Sequence, residues 1–188
     1  LSRLVFITLL SIASLAIAFV LNFQMQSELS SDSDSVVDVT EPDFYMTQTS
    51  GIKYDLSGNP HYRFLATDLK KYPQGEFTLM SNPDVTLHNS KGPWRAQALT
   101  GEISQDGKTI TLSGSVRLNG GTRQEPLQMK TQTLSIIPDQ NLAKTSKQVF
   151  IENNSGQTNA IGMNAYLDEN RMELLSNVQV RHRPVKTN

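Results

Sequence analysis

The sequence predicts an all-β domain of two facing antiparallel sheets with open ends, preceded by one apolar N-terminal helix. Three observations predict it. Beyond residue 44 apolar residues alternate with polar ones, the two-residue period of half-buried strands. Two strand types recur about every 32 residues,. Residues 4–21 instead form a single apolar run.

That run, Leu4 to Leu21, holds no charge and no proline over 18 residues. As a helix rising about 1.5 Å per residue it spans most of a ~30 Å hydrocarbon core. Arg3 precedes it, and the first charges after it are acidic: Glu28, Asp32, Asp34, Asp38 and Glu41. The positive-inside tendency then puts the N-terminus in the cytoplasm and exports the rest. A cleaved signal peptide competes with this reading, since Ala16-Ile17-Ala18 has the small-x-small form of a cleavage site. Phe19, Val20 and Leu21 carry the run past a usual signal core, which favours an anchor. Ser11, Ala13, Ser14, Ala16 and Ala18 would let such a helix approach others closely,. Residues 1–26 therefore read as a transmembrane helix with its cytoplasmic stub. Residues 27–43, rich in Ser, Asp and Val, read as a flexible linker,. Asp32 and Asp34 imitate a calcium loop, but Val37 and Asp43 stand where that loop needs Gly and Glu,.

The folded domain is expected over 44–184, with a tail at 185–188. One strand type places Tyr62, Phe64 and Ala66 on a common face. Trp94, Ala96 and Ala98 follow, then Leu127, Met129 and Thr131, then Ile161, Met163 and Ala165. The second type carries a valine at 85, 116, 149 and 178. Turn signals separate the units: Ser57-Gly58-Asn59-Pro60, Lys91-Gly92-Pro93, Asp106-Gly107, Asn119-Gly120-Gly121, Pro138-Asp139, Asn153-Asn154-Ser155-Gly156 and Asp168-Glu169-Asn170,. A unit of this kind cannot bury its own apolar face, so the units must stack, giving about a dozen strands or more. Aromatic residues are few (7%) and several inward positions are Ala or Thr. So thin a lining suits sheets splayed around an apolar cavity better than a tight sandwich.

Composition narrows the function. Seventeen Lys+Arg balance 18 Asp+Glu, for a formal net charge of −1, which argues against nucleic-acid binding,. The absence of cysteine excludes disulfides, thiolate metal sites, thiol catalysis and a lipid-modified N-terminal cysteine,. His61, His88 and His182 each lack a second histidine at ligand spacing, so no metal site is expected,. No nucleophile elbow, Walker loop or dinucleotide fingerprint occurs. Asp168 and Glu169 are adjacent, and so diverge in a strand or face water in a turn. The chain reads as a non-enzyme without a cofactor.

The run Tyr54-Asp55-Leu56-Ser57-Gly58-Asn59-Pro60-His61-Tyr62-Arg63-Phe64-Leu65-Ala66 resembles the opening hairpin of the LptC family, the anchored periplasmic member of the lipopolysaccharide-export machinery. Asn82-Pro83-Asp84-Val85, Trp94-Arg95-Ala96-Gln97-Ala98 and Leu112-Ser113-Gly114-Ser115-Val116 follow in family order. The resemblance covers nearly the whole chain: a single transmembrane helix, an acidic-polar linker and one domain. It implies an OstA-like β-jelly roll in the periplasm, held to the inner membrane of a Gram-negative cell by a single pass. The chain departs from the family where many relatives have glycine in a turn after the seventh or so strand. Asn153 stands there, and asparagine tolerates positive φ, so the turn is expected to survive.

The implied function is transport of lipopolysaccharide from inner to outer membrane. The domain would receive lipid from an ABC transporter formed by LptB, LptF and LptG and pass it along an apolar β-groove to the periplasmic bridge LptA. Weak homodimerisation is compatible with this. The alternative is a non-conducting scaffold that only docks partners by its sheet edges. Strand parity gives the groove lining as Tyr62, Phe64, Phe77, Val85, Leu87, Trp94, Ile103, Ile110, Leu112, Val116, Leu118, Leu127, Met129, Leu134, Ile136, Val149, Ile151, Ile161, Met163, Met172, Leu174, Val178 and Val180,. Parity is ambiguous at 77–80 and 172–175, where apolar residues are consecutive and a bulge would fit. There the resemblance points to Thr49, Met80 and Met172 as lipid contacts. The β-branched run Asn177, Val178, Gln179 and Val180, stopped by Arg181 to Pro184, reads as a pairable sheet edge. The resemblance offers that edge to LptA. It offers the opposite edge, with Phe44, Tyr45, Tyr54 and Gly58, to the transporter.

Overall fold

The computed structural model describes residues 41–182 except 74, 76 and 123. The apolar segment at 4–21, most of the acidic linker and Arg183-Pro184 lie outside these residues. No helix among those described is long and apolar enough to cross a membrane.

Eleven antiparallel strands form one sheet. They are β1 (Phe44–Tyr54), β2 (Pro60–Lys71), β3 (Phe77–Ser81), β4 (Asp84–Leu87), β5 (Trp94–Gln97), β6 (Thr100–Ser104), β7 (Ile110–Gly121), β8 (Pro126–Ile137), β9 (Leu142–Asn153), β10 (Gly156–Tyr166) and β11 (Arg171–His182). A 3-10 turn over Pro138–Gln140 joins β8 to β9.

The pairing shows how one sheet makes two layers. The first half of β2 pairs with β4 and its second half with β3. Likewise β7 gives its second half to β5 and its first half to β6. Two routes therefore join β2 to β7, one through β4 and β5 (layer A) and one through β3 and β6 (layer B). Each long strand runs from one layer into the other, and its inward phase slips on the way. Buried residues step from Ala66 to Leu69 in β2, from Leu112 to Val116 in β7, from Thr131 to Leu134 in β8, and from Ala160 to Met163 in β10. Left-handed backbone marks several of these bends: Gln48 in β1, Asn82 between β3 and β4, Gly114 and Ser115 in β7, Gly162 in β10 and Asn177 in β11. Side by side, the bends form a crease along which the sheet folds onto itself. A long strand of 12 residues plus its turn takes about 16, so bends on alternate strands recur about every 32. The crease is the origin of the sequence repeat.

Two of these bends are built alike. A Cβ at Gly114 would press on Leu99, and one at Gly162 on Leu175. Each glycine lies under a leucine, Leu99 of the β5–β6 connection or Leu175 of β11, and its φ (+81° and +79°) is one that other residues rarely adopt,.

Several expectations need correction. Ile161 is not inward: it is 43% exposed, because Gly162 shifts the register between Ile161 and Met163 against β9. The inward residues of layer A in β10 are Thr158 and Ala160, while Met163 and Ala165 face inward in layer B. Residues 77–80 contain no bulge, since β3 pairs in unbroken register with β2 and β6. Met80 is buried and Phe77 is exposed at the strand's end. Residues 172–175 are also regular, and the register shift in β11 falls near Asn177 instead. Asn119-Gly120-Gly121 ends strand β7 rather than turning. A Cβ at Gly120 would collide with the Trp94 indole, so this glycine is needed for close approach. The turn at Asn153 does form, by a different route from positive φ. The Asn153 side-chain oxygen accepts from the Ser155 and Gly156 amides at 3.0 and 3.1 Å, while Gly156 supplies the unusual backbone at φ +152°,.

Candidate functional site

The candidate site is the space between the layers. Residues opposite one another in paired strands point to the same face, so inward residues form rows across the sheet. In layer A one row runs Val85, Ala96, Leu118, Met129 and Ile151, with the pair Leu87 and Trp94 beside it. In layer B another runs Ile110, Ile136, Ala143, Ala165 and Met172. Leu118, Met129, Ile110 and Ile136 are wholly buried, each contributing about 1.5–3 kcal/mol. The expected splayed cavity is therefore absent from the middle of the sandwich: Leu, Ile and Met reach across and fill it, despite the scarcity of aromatics.

Of the residues assigned to the lining, Thr49, Tyr62, Met80, Val85, Trp94, Ile110, Leu112, Val116, Met129, Ile136 and Met163 are buried. Phe64, Leu127, Met172 and Leu174 are partly buried against the same core. Leu69, Ala143, Ala160 and Leu167 belong to it as well. Leu167 continues the parity of Met163 and Ala165, a signal the sequence does contain. Ala160 is concealed by the Gly162 bend.

The far ends of the layers, opposite the crease, are bonded to each other. The Trp94 indole nitrogen and the Asn89 side-chain amide both donate to the Leu167 carbonyl at 3.0 Å. The Lys91 ammonium donates to the Glu169 carbonyl at 3.2 Å, while the Leu167 amide donates to the Asn141 carbonyl at 2.8 Å and continues the β9–β10 pairing within layer B. In the second cluster Asp139, on the turn after β8, meets the Lys53 ammonium at 3.4 Å and His61 at 3.7 Å. Lys53 also lies 5.8 Å from the centre of the Tyr62 ring, and burial raises the Tyr62 phenol above its ordinary pKa.

These bonds show that the layers are offset. The tip of β5 in layer A meets the β10–β11 turn of layer B, and the tip of β1 and β2 meets the β8–β9 turn. Displacement by several strands leaves part of each inner face uncovered. Along Met129, Ile151, Thr158 and Val180, paired in sequence, burial weakens toward β11, from fully buried Met129 to Val180, 71% exposed. Beside it, Val178 is 49% exposed. In layer B the row Met80, Leu69, Met46 opens toward β1, where Met46 is 41% exposed.

Both open faces end at unpaired strands, for β1 pairs only with β2 and β11 only with β10 among the described residues. Phe44, Tyr45 and Tyr54 are exposed along β1, and Gly58 (φ +82°) sits in the turn after it with open space where a Cβ would stand. The Tyr45 hydroxyl donates to Asp68 at 2.9 Å, a bond that raises its pKa. The Thr49 hydroxyl is buried and finds no hydrogen-bond partner among the described residues.

A family model described as lipopolysaccharide-assembly, LptC-related matches residues 9–183. The chain belongs to the LptC family. Membership gives it a role in lipopolysaccharide transport. A search of curated proteins finds no match. Among solved structures, the LptC-family fold here is similar to the crystal structure of LptH from Pseudomonas aeruginosa, described as the LptA-homologous periplasmic component of the conserved lipopolysaccharide transport device. The TM-score is 0.50 at 8% identity, covering 79% of this chain and 99% of that one. At that identity the likeness establishes a shared fold.

Proposed function

We propose that this chain receives lipopolysaccharide from the inner-membrane transporter of LptB, LptF and LptG and hands it to the bridge protein LptA. The apolar segment at 4–21 holds it in the inner membrane, with the β-domain in the periplasm. Acyl chains lie between the layers and leave over β11, and β1 faces the transporter. The observation that carries this reading is the continuous inward row from Met129 to Val180, which joins a sealed core to an open mouth on the edge strand β11. Apolar surface exposed to water costs about 25 cal/mol per Å², so a row of this kind removes most of the cost of moving a multi-acyl lipid. It gives passage and no direction, and energy comes from the transporter. LptA would extend the sheet by pairing with Asn177 to Val180, where main-chain hydrogen bonds supply affinity.

The filled interior favours a second reading, a scaffold whose edges dock partners without conducting lipid. A photo-crosslinking residue at Met129, and another at Val180, separates the two in cells. Lipopolysaccharide adducts at both positions are expected for the conduit. Adducts at neither would leave the scaffold.

A further inference from the structure

The lipid reading of the interior meets an obstacle: the central rows have no exposed residue and no room for an acyl chain. Lipid entry therefore requires the layers to part. One long side of the sandwich is the crease, where covalent strands continue from layer to layer. Parting there would break strands in mid-ladder. At the opposite side, among the described residues, two small clusters of side chains and turns bond the layers to each other.

We infer that these clusters, Trp94 with Asn89 and Lys91 against Leu167 and Glu169, and Lys53 with His61 against Asp139, are a clasp that opens to admit acyl chains. The inference rests on the lipid-conducting reading and adds where and how the interior opens. Three features support it. All the bonds of both clusters run between turns or strand ends, so releasing them breaks no sheet ladder. Leu167, at the centre of the first cluster, is fully buried, so opening exposes core directly. Its carbonyl accepts two donors of layer A at once, which makes it the residue on which the two ends converge. The clasp thus acts by positioning the layers and touches lipid only as they part.

The chain provides its own probes. Trp94 is the sole tryptophan, and there is no cysteine. The full chain carrying Lys91→Cys and Glu169→Cys, with or without a reducible bismaleimide joining the two, is titrated with purified lipopolysaccharide. Without the bridge, lipid binding should red-shift Trp94 emission and raise its quenching by acrylamide as the indole leaves the Leu167 carbonyl. With it, binding should weaken at least about tenfold and recover on reduction. Asn89→Ala, which removes one bond and leaves the Leu167 carbonyl satisfied by Trp94, should strengthen binding by about two- to tenfold, the worth of one hydrogen bond. Bridged protein that binds as tightly as unbridged protein overturns the clasp. Should the unbridged chain bind no lipid, the lipid reading itself fails. The clasp is then read from acrylamide quenching of Trp94 in the lipid-free chain: lower quenching in the bridged protein supports it, and unchanged quenching overturns it.

Discussion

Gly120 and Trp94 make one contact. The backbone at Gly120 has no left-handed φ, so glycine is required there only because the indole occupies the place of a side chain. Gly120→Ala should cost about 1–3 kcal/mol by overpacking, read as a lower melting temperature together with a red shift of Trp94 emission. A second residue-scale prediction concerns charge. The Asp84 carboxylate accepts from the Arg95 Nε at 2.8 Å and from the Gln97 amide at 2.9 Å, with a further bond from the Arg95 Nη2. The bond from Arg95 is the largest influence and holds the Asp84 pKa below its ordinary value, against the opposing effect of burial. A depressed carboxylate stabilises the fold above its unfolded pKa of about 3.9 and loses that contribution as pH falls through the folded value. Asp84→Asn should cost about 1 kcal/mol at pH 7, and the gap to the parent chain should close in denaturant titrations taken progressively below pH 4.

At the scale of elements, the bends make each long strand serve two layers. They also explain why parity succeeds in most places and fails at β10. Alternation predicts facing only within a stretch of even register, and Gly162 breaks the stretch that began at Gly156. Strand β11 divides at Asn177 in the same way, its first half set against the core and its second half paired with β10 but exposed. Deleting Ser176 onward removes that exposed half. The truncated chain should lose LptA binding and keep its transporter complex, with the fold checked by circular dichroism. Retained LptA binding would sink the edge assignment. Val180→Asp and Met46→Asp, on the uncovered inner faces, should each change stability by less than about 0.5 kcal/mol, whereas Met129→Asp should prevent folding. A large stability loss at Val180 would show that the mouth is ordinary core.

In the whole molecule, the offset between layers decides which apolar rows are sealed and which remain open. The same residue types, and even the same repeat positions, meet different fates. Val85, Val116 and Val149 are fully buried near the crease, and Val178, their fourth counterpart, is half exposed on the edge strand β11. A sandwich in perfect register would have buried all four and left no mouth.

By itself the sequence determined the all-β class, the antiparallel units and their period, and most inward residues, because alternation and turn chemistry are local properties that each strand states independently. Only the tertiary structure decided that the two layers are halves of one creased sheet, that the centre is filled, and that Trp94 reaches the Leu167 carbonyl across 73 positions of chain. Those outcomes depend on how far one layer slides past the other. That displacement is set by the summed twist and bends of the long strands, and no single strand's sequence carries it.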